Sequence, residues 1–246
     1  MNADSYMTPQ GLFVLMDESD PLRGELRRTE TMLLERSRGQ VLLLVDQGLR
    51  PLAEAWTEVY RALGARDTRV ILLARREDAN EPQVAERVAA SPLVVLAAQT
   101  ASAYLRLMAG TRLVEALVAT VLQGGAVVGM GPVSSLFGMA ALVEHEGKTY
   151  SRSGLGILPG IAVVPRVEGA GRFNFLAHLI SANPDLLGLG LASSSSVVVA
   201  YRGRAVVVEG EVTLLDASSA EIATGAARNL RTDLLTEGES FEIPVF

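Results

Sequence analysis

The sequence contains no cysteine, and it has only two histidines, His145 and His178, among 246 residues. The absence of thiols excludes disulfides, thiolate nucleophiles and cysteine-ligated metals. The two histidines are far apart in sequence and show no His-x-x-x-His spacing, so a zinc site would have to depend on carboxylates. We therefore expect no metal and no other cofactor.

Clustered positive charge and long apolar runs are also missing. The formal net charge is −6, and a phosphate-binding groove needs clustered lysine and arginine, so the charge argues against a nucleic-acid partner. No apolar run is long enough to cross a bilayer. Residues 1–10 are polar and acidic and lack the features of a signal peptide. These absences predict a cytoplasmic protein that has no membrane association.

What the chain does contain is aliphatic residues in short runs. Hydrophobic residues make up 49% of the sequence and aromatics only 5%, which suits a parallel sheet covered by helices on both faces. Apolar runs and amphipathic segments alternate up to residue 130. Strands are predicted over 12–16, 41–46, 70–74, 93–97 and 126–130. Helices are predicted over 51–63, 81–90, 101–108 and 111–122.

The pattern changes after Tyr150. A helix is predicted over 171–182, and strands are predicted over 186–191, 197–201, 205–209 and 212–215. Their short links favour an antiparallel meander, and the alternating residues 241–246 favour an edge strand. The sequence thus predicts one domain over 1–246. Its expected fold is a three-layer α/β/α sandwich with a mainly parallel central sheet and antiparallel C-terminal strands.

Residues 124–138 have the strand-turn-helix pattern in which hydrolases present a nucleophilic serine. The predicted tip of this turn is Pro132, which has no hydroxyl and a φ fixed near −65°. Proline suits the first turn of a helix. The segment is therefore built like a nucleophile elbow that has lost its nucleophile.

Four landmarks in sequence order resemble the cyanophycinase and dipeptidase E family of serine peptidases, over roughly residues 40–216. The landmarks are residues 60–65 with Asp78-Ala79; the strand ending in Ala97-Ala98-Gln99, where the family has Gly-Gly-Asp/Asn-Gln; residues 125–138, against Gly-Thr-Ser-Ala-Gly-Ala; and residues 154–160 with 183–190. The resemblance implies a fold related to class I glutamine amidotransferase domains.

The family's catalytic residues are not present at the matching positions. Pro132 stands where the family has its serine, and Arg166 stands where the resemblance places the histidine. The stretch that should hold the acid includes Ser193 and contains no carboxylate. Ala97-Ala98 replaces the glycine pair beside the oxyanion, and its Cβ atoms would crowd a backbone approach to substrate.

Two nearby serines are candidates for a displaced nucleophile, Ser134 and Ser135. A serine needs a base within hydrogen-bond reach. If a helix followed the turn, His145 would lie about 15 Å along its axis, which is too far. His178 shares a helical stripe with Asn174 and Ser181, opposite Phe173, Leu176 and Ile180, so we expect it to face solvent. The alternative interpretation is that both serines satisfy free N–H groups in a helix's first turn.

Arg166 could instead serve binding. A guanidinium at the mouth of a parallel sheet could hold a carboxylate or phosphate, although a surface ion pair with Glu168 is the alternative. We expect Arg166, Gln99 and Gly131 to be ligand-binding residues. The predicted function is an inactive peptidase homologue that binds a small anionic ligand or a peptide, or that assembles as a homo-oligomer or with an active paralogue. The alternative is a hydrolase of peptide or β-aspartyl bonds that uses Ser134 or Ser135.

Overall fold

A computed structural model describes residues 11–17, 20–145, 147–169, 171–200, 203–223 and 226–244. The predictions for residues 1–10 and for the last two residues of the chain lie outside this part. The helices are α1 (Arg27–Arg36), α2 (Arg50–Ala62), α3 (Pro82–Ala89), α4 (Ala101–Met108), α5 (Arg112–Leu122) and α6 (Arg172–Ala182).

The larger sheet has eight strands and holds the strands predicted from the sequence's first half. Its strands are β1 (Leu12–Met16), β2 (Gln40–Asp46), β3 (Asp67–Leu73), β4 (Leu93–Ala97), β5 (Ala126–Met130), β10 (Ser196–Ala200), β11 (Arg204–Glu209) and β16 (Ser240–Glu242). The order is β16-β11-β10-β1-β5-β4-β2-β3. The five neighbouring strands β1, β5, β4, β2 and β3 run parallel to one another. The remaining pairs, β1 with β10, β10 with β11 and β11 with β16, are antiparallel.

A second sheet of six strands was not predicted. Its strands are β6 (Ala140–His145), β7 (Lys148–Ser153), β8 (Ile161–Pro165), β9 (Leu187–Leu191), β12 (Glu211–Asp216) and β15 (Arg231–Thr236), in the order β15-β12-β9-β8-β6-β7. A two-stranded ribbon pairs β13 (Glu221–Ala223) with β14 (Ala226–Arg228).

The predicted single meander was wrong, because its four strands divide between the two sheets. β9 pairs with β12 in the smaller sheet, whereas β10 pairs with β11 in the larger one. The chain crosses from β11 to β12 at Gly210, which has a φ of 75°. A Cβ at this position would lie 2.7 Å from the carbonyl oxygen of Ser194. This left-handed, crowded corner requires glycine.

Side chains alternate between two cores along the larger sheet. In β1, Leu12, Val14 and Met16 pack with the first core, together with Trp56 of α2 and residues of α1. Phe13 and Leu15 face the second core, which holds α3 to α5 and the inner face of the smaller sheet. A third cluster packs α6 on the outer face of that sheet. The predicted α/β sandwich with a mainly parallel sheet is confirmed, and the smaller sheet adds to it.

Candidate active site

The strand-turn segment predicted as a nucleophile elbow forms, but its tip is one residue earlier than expected. β5 ends at Met130, and Gly131 has a left-handed φ of 51°. Pro132 is the next residue and lies in the first turn of a 3-10 helix, Gly131–Leu136, a position that suits proline. Gly131 therefore occupies the position of the elbow's strained residue, and it carries no side chain.

The predicted helix after the elbow was wrong. The 3-10 helix is followed by β6, because its apolar residues turn into the space between the two sheets. Phe137 packs edge-on against Phe13, with ring centroids 6.1 Å apart. A Cβ on Gly129 would lie 3.0 Å from the Phe137 ring and from the Ser134 Cα, so only glycine lets β5 approach this turn so closely.

A cavity of about 420 Å³ lies at the carboxyl ends of β1, β4, β5 and β8. Small-ligand pockets commonly have this size, and open α/β sheets bind ligands at this edge. The cavity brings together six residues that the sequence singled out, namely Ala98, Gln99, Gly131, Pro132, Ser135 and Arg166. Whether they bind a ligand stays a prediction.

The two candidate serines are tied to the backbone of their own turn. The Ser134 Oγ donates to the Gly131 carbonyl at 2.7 Å, and the Ser135 Oγ donates to the Pro132 carbonyl at 2.8 Å. Both side chains are fully buried. The alternative interpretation gave them N–H groups to satisfy, but in this 3-10 helix the hydroxyls donate to carbonyls three residues earlier instead.

Ser193 lies outside the residues that line the cavity and contacts Glu168. Its backbone N–H donates to the Glu168 Oε1 at 2.9 Å, and its hydroxyl donates to the same oxygen. Burial raises the pKa of Glu168, but these hydrogen bonds and the charge of Arg166 outweigh that effect and hold the pKa below its usual range. Glu168 thus stays ionised at neutral pH.

The side chain of His178 is not among the residues that line the cavity. Among the described residues no histidine lines it. His178 is exposed on α6 and borders a separate surface recess, as predicted, although Phe173 is 43% exposed rather than buried. The 15 Å estimate for His145 assumed a helix and fails, because the segment is a strand. The side chain of His145 lies outside what the structure describes.

Sequence reasoning missed the most unusual carboxyl group of the site, Asp17. It directly follows β1, and its side chain is 1% exposed. Its backbone N–H donates to the Ser195 carbonyl at 2.9 Å. The Oδ1 atom has no hydrogen-bond partner among the described residues. The signal that could have revealed it is an acid placed directly after a buried apolar strand.

Asp17 contacts both the backbone and the side chain of Arg166, and the Arg166 backbone N–H donates a hydrogen bond to the Asp17 carboxyl. The Arg166 Nε lies 3.9 Å from the Asp17 Oδ2, and the Arg166 side chain is 52% exposed. Burial raises the pKa of Asp17 to about 7, against the lowering effect of Arg166. Strongly perturbed groups in clefts are common at functional sites. Arg166 itself has a left-handed φ of 52°, a conformation that costs about 1–2 kcal/mol outside glycine.

Arginines and carboxylates both surround this pair. Arg172 donates to the Pro165 carbonyl at 2.8 Å and to the Glu144 carboxylate at 2.5 Å. Asp20 accepts from the Trp56 indole at 2.9 Å. Arg23 lines the same cavity. Among the described residues, no group of three histidine, cysteine or acidic side chains is arranged to hold a metal ion.

Known proteins resemble this chain in sequence and in structure. No model of a known protein family matches the sequence. The chain is 22% identical over 210 residues to a cyanophycinase from Synechococcus elongatus, covering 78% of this chain and 65% of that protein. It thus spans just under two thirds of that relative's length. A cyanophycinase from Trichormus variabilis is 23% identical over an alignment that covers 96% of this chain and 86% of that protein.

A solved structure shows the same fold. The crystal structure of a peptidase from an acI-B1 Actinobacterium superposes with a TM-score of 0.68 and 19% identity, covering 95% of this chain and 97% of its own. The chain is similar to cyanophycinases in sequence and to this peptidase in fold. This agrees with the family resemblance of its sequence, and the cyanophycinase-like chain also shares the α/β sandwich of that peptidase.

In the described part of this cyanophycinase-like protein, no helix is both long and apolar enough to span a bilayer.

Proposed function

We propose that this cyanophycinase-like protein binds a small carboxylate-bearing ligand in the elbow cavity and does not cleave it by serine chemistry. The observation that carries the proposal is the elbow tip. Gly131 holds the left-handed position and offers no nucleophile, while Arg166 lines the cavity beside it. The site keeps the form of a hydrolase pocket and lacks the attacking group.

The neighbouring groups do not supply the missing chemistry. A serine nucleophile needs a base that takes its proton. The hydroxyl proton of Ser135 is directed to the Pro132 carbonyl, and a second carbonyl, that of Leu142, lies 3.3 Å away. A guanidinium such as that of Arg166 stays protonated at neutral pH and cannot act as a base.

Charge at the cavity supports an anionic ligand. Arg23, Arg166 and Arg172 line it together with the acids Asp17, Asp20 and Glu144, and the N-terminus of α4 adds partial positive charge through Ala101. Bidentate guanidinium contacts suit carboxylates. The Arg166 side chain is 52% exposed and that of Arg172 is 24% exposed, so Arg166 is the more accessible of the two to a ligand.

The hydrolysis part of the proposal is tested with purified protein and the β-Asp-Arg dipeptide. We expect turnover no higher than a buffer blank and no labelling by a fluorophosphonate probe. Catalytic groups act as a unit, so losing the nucleophile and base together leaves at most a weak residual rate.

A second candidate function has one observation in its favour, because Ser135 lines the cavity. A rearranged hydrolase using this serine would be labelled by the probe and would lose labelling in Ser135→Ala. Ser134→Ala is the matched control, since Ser134 is equally buried but is not among the cavity-lining residues. Labelling that only Ser135→Ala removes would replace the proposed function with this one.

The binding part is tested by calorimetric titration with N-acetyl-aspartate. Arg166→Ala should weaken binding by about 1.5–3 kcal/mol, the scale of a charged hydrogen bond. Arg69→Ala is the control, because Arg69 is exposed on β3 and pairs with Asp67 at 2.8 Å. Equal affinities for wild type and Arg166→Ala would refute Arg166 as the anion anchor.

A further inference from the structure

Asp17 is the cavity-lining group whose hydrogen bonding is incomplete. Its side chain is 1% exposed next to the half-exposed Arg166, and its Oδ1 has no hydrogen-bond partner among the described residues. A carboxylate oxygen left in this condition costs free energy unless a proton or a ligand group satisfies it. The 3.9 Å separation from the Arg166 Nε is too long for a hydrogen bond.

Resting on the proposed function, we propose that Asp17 contacts the ligand directly as a protonated acid. Its O–H donates a hydrogen bond to the carboxylate that Arg166 holds, and binding therefore takes up one proton from solvent. The ligand class is a carboxylate with no positively charged group next to the carboxylate that Arg166 holds. No covalent bond changes, and the proton moves only from solvent to an Asp17 oxygen.

The charges around Asp17 favour this arrangement over capture of a cation. The charged groups that line the cavity or act on the Asp17 carboxyl are Arg23, Arg166, Arg172, Asp20, Glu144 and Glu168. Asp20 already accepts from Trp56 and from the Leu22 N–H, and Glu144 already accepts from Arg172. Asp20 and Glu144 are thus engaged by protein donors, whereas the side chains of Arg23 and Arg166 are 65% and 52% exposed and can reach a ligand.

Protonation of Asp17 at neutral pH agrees with its surroundings. Burial raises the pKa of this carboxyl to about 7. A second carboxylate brought within hydrogen-bond distance raises the pKa of Asp17 further, since two like charges cannot share the site. The ligand therefore binds the protonated protein most tightly.

The test is calorimetric titration of the wild-type chain with N-acetyl-aspartate from pH 6.5 to 8.5. We expect affinity to fall by roughly tenfold or more over this range, because ionised Asp17 must first regain its proton. At pH 8.0 the binding heats in Tris and in HEPES should differ by the uptake of about one proton per ligand. The uncharged analogue N-acetyl-asparaginamide should not bind.

Asp17→Asn separates this role from folding. The amide keeps a donor, so N-acetyl-aspartate should still bind, with no proton uptake and no loss of affinity at high pH. Asp67→Asn, on the exposed edge strand β3, should behave as wild type. If Asp17→Asn does not fold, the proton uptake of the wild-type chain still decides the question.

Each failure has its own signature. Binding that depends on Arg166 but takes up no proton would overturn the role of Asp17 and leave the proposed function standing. No binding at any pH would remove the proposed function itself. Methylguanidine binding that strengthens as pH rises would assign Asp17 to a cationic group and overturn this proposal.

Discussion

Replacing Asp17 by asparagine should change how the free energy of unfolding depends on pH. The pKa of this carboxyl is about 7 in the folded protein, against an ordinary value of 3.8. The folded chain therefore binds more protons than the unfolded chain between these two values, and stability falls as pH rises through them. Above pH 7 both states are ionised and the loss is complete.

The size of the expected change in the free energy of unfolding depends on the pH range in which the protein can be measured. The sequence pI is about 5.1, so measurements begin at pH 5.5 to avoid precipitation near zero net charge. Between pH 5.5 and 8.5 the wild type should lose about 2 kcal/mol through Asp17, at up to about 1.4 kcal/mol per pH unit below pH 7. Asparagine does not titrate, so its variant should not show this loss.

The assay is urea unfolding of wild type and Asp17→Asn at pH 5.5, 7.0 and 8.5. All other titrating groups are shared, so the difference between the two stability curves isolates Asp17. We expect the variant to gain about 2 kcal/mol relative to wild type across the range. Curves that stay parallel would show that Asp17 is ionised throughout, and the burial argument would be wrong.

Two further predictions concern the helix cap and the elbow. Glu209→Ala should lower the free energy of unfolding by about 1–3 kcal/mol in urea unfolding, because the Glu209 carboxylate accepts from the backbone N–H groups of Arg28 and Thr29 at the start of α1. Glu211 is exposed, so the control variant Glu211→Ala should change stability little. Gly131→Ser should restore a hydroxyl at the elbow tip without restoring β-Asp-Arg hydrolysis, since no base accompanies it; turnover well above a buffer blank would contradict this.

Regular elements with clear periodicity could be predicted from the sequence. β1, β4, β5 and α4 have the predicted bounds. Their signals are local, because each is a buried apolar run or an amphipathic turn next to a clear breaker. β16 also pairs at the edge of the larger sheet, as the alternating tail suggested.

The missed elements depend on tertiary contacts. Every residue of β7 is exposed, so it has no alternation to detect, and pairing with β6 alone makes it a strand. α1 lacks a side-chain cap of its own at Leu26. Its start is satisfied by Glu209, which is distant in sequence, so no local start signal is present.

The site could be predicted only in part for the same reason. Gln99, Pro132 and Arg166 were found by resemblance, whereas Asp17 follows a strand that no landmark covers. Its perturbed state arises from burial beside residues far along the chain, such as Arg166. The predictions of one domain, a cytoplasmic location and a homo-oligomer stay predictions.

The central place of β1 has a consequence for how the chain folds. Leu12 of β1 pairs with Ala126 on one side and with Ala200 of β10 on the other, so the first strand of the described chain is completed only when its tenth strand is present. Non-local strand pairing is slow because loop closure precedes any gain from contacts. During synthesis β1 keeps an unpaired edge until the C-terminal half has emerged, and Asp17 reaches its buried position only then. The nascent chain therefore has a long interval in which an apolar strand is open to aggregation and the cavity is incomplete.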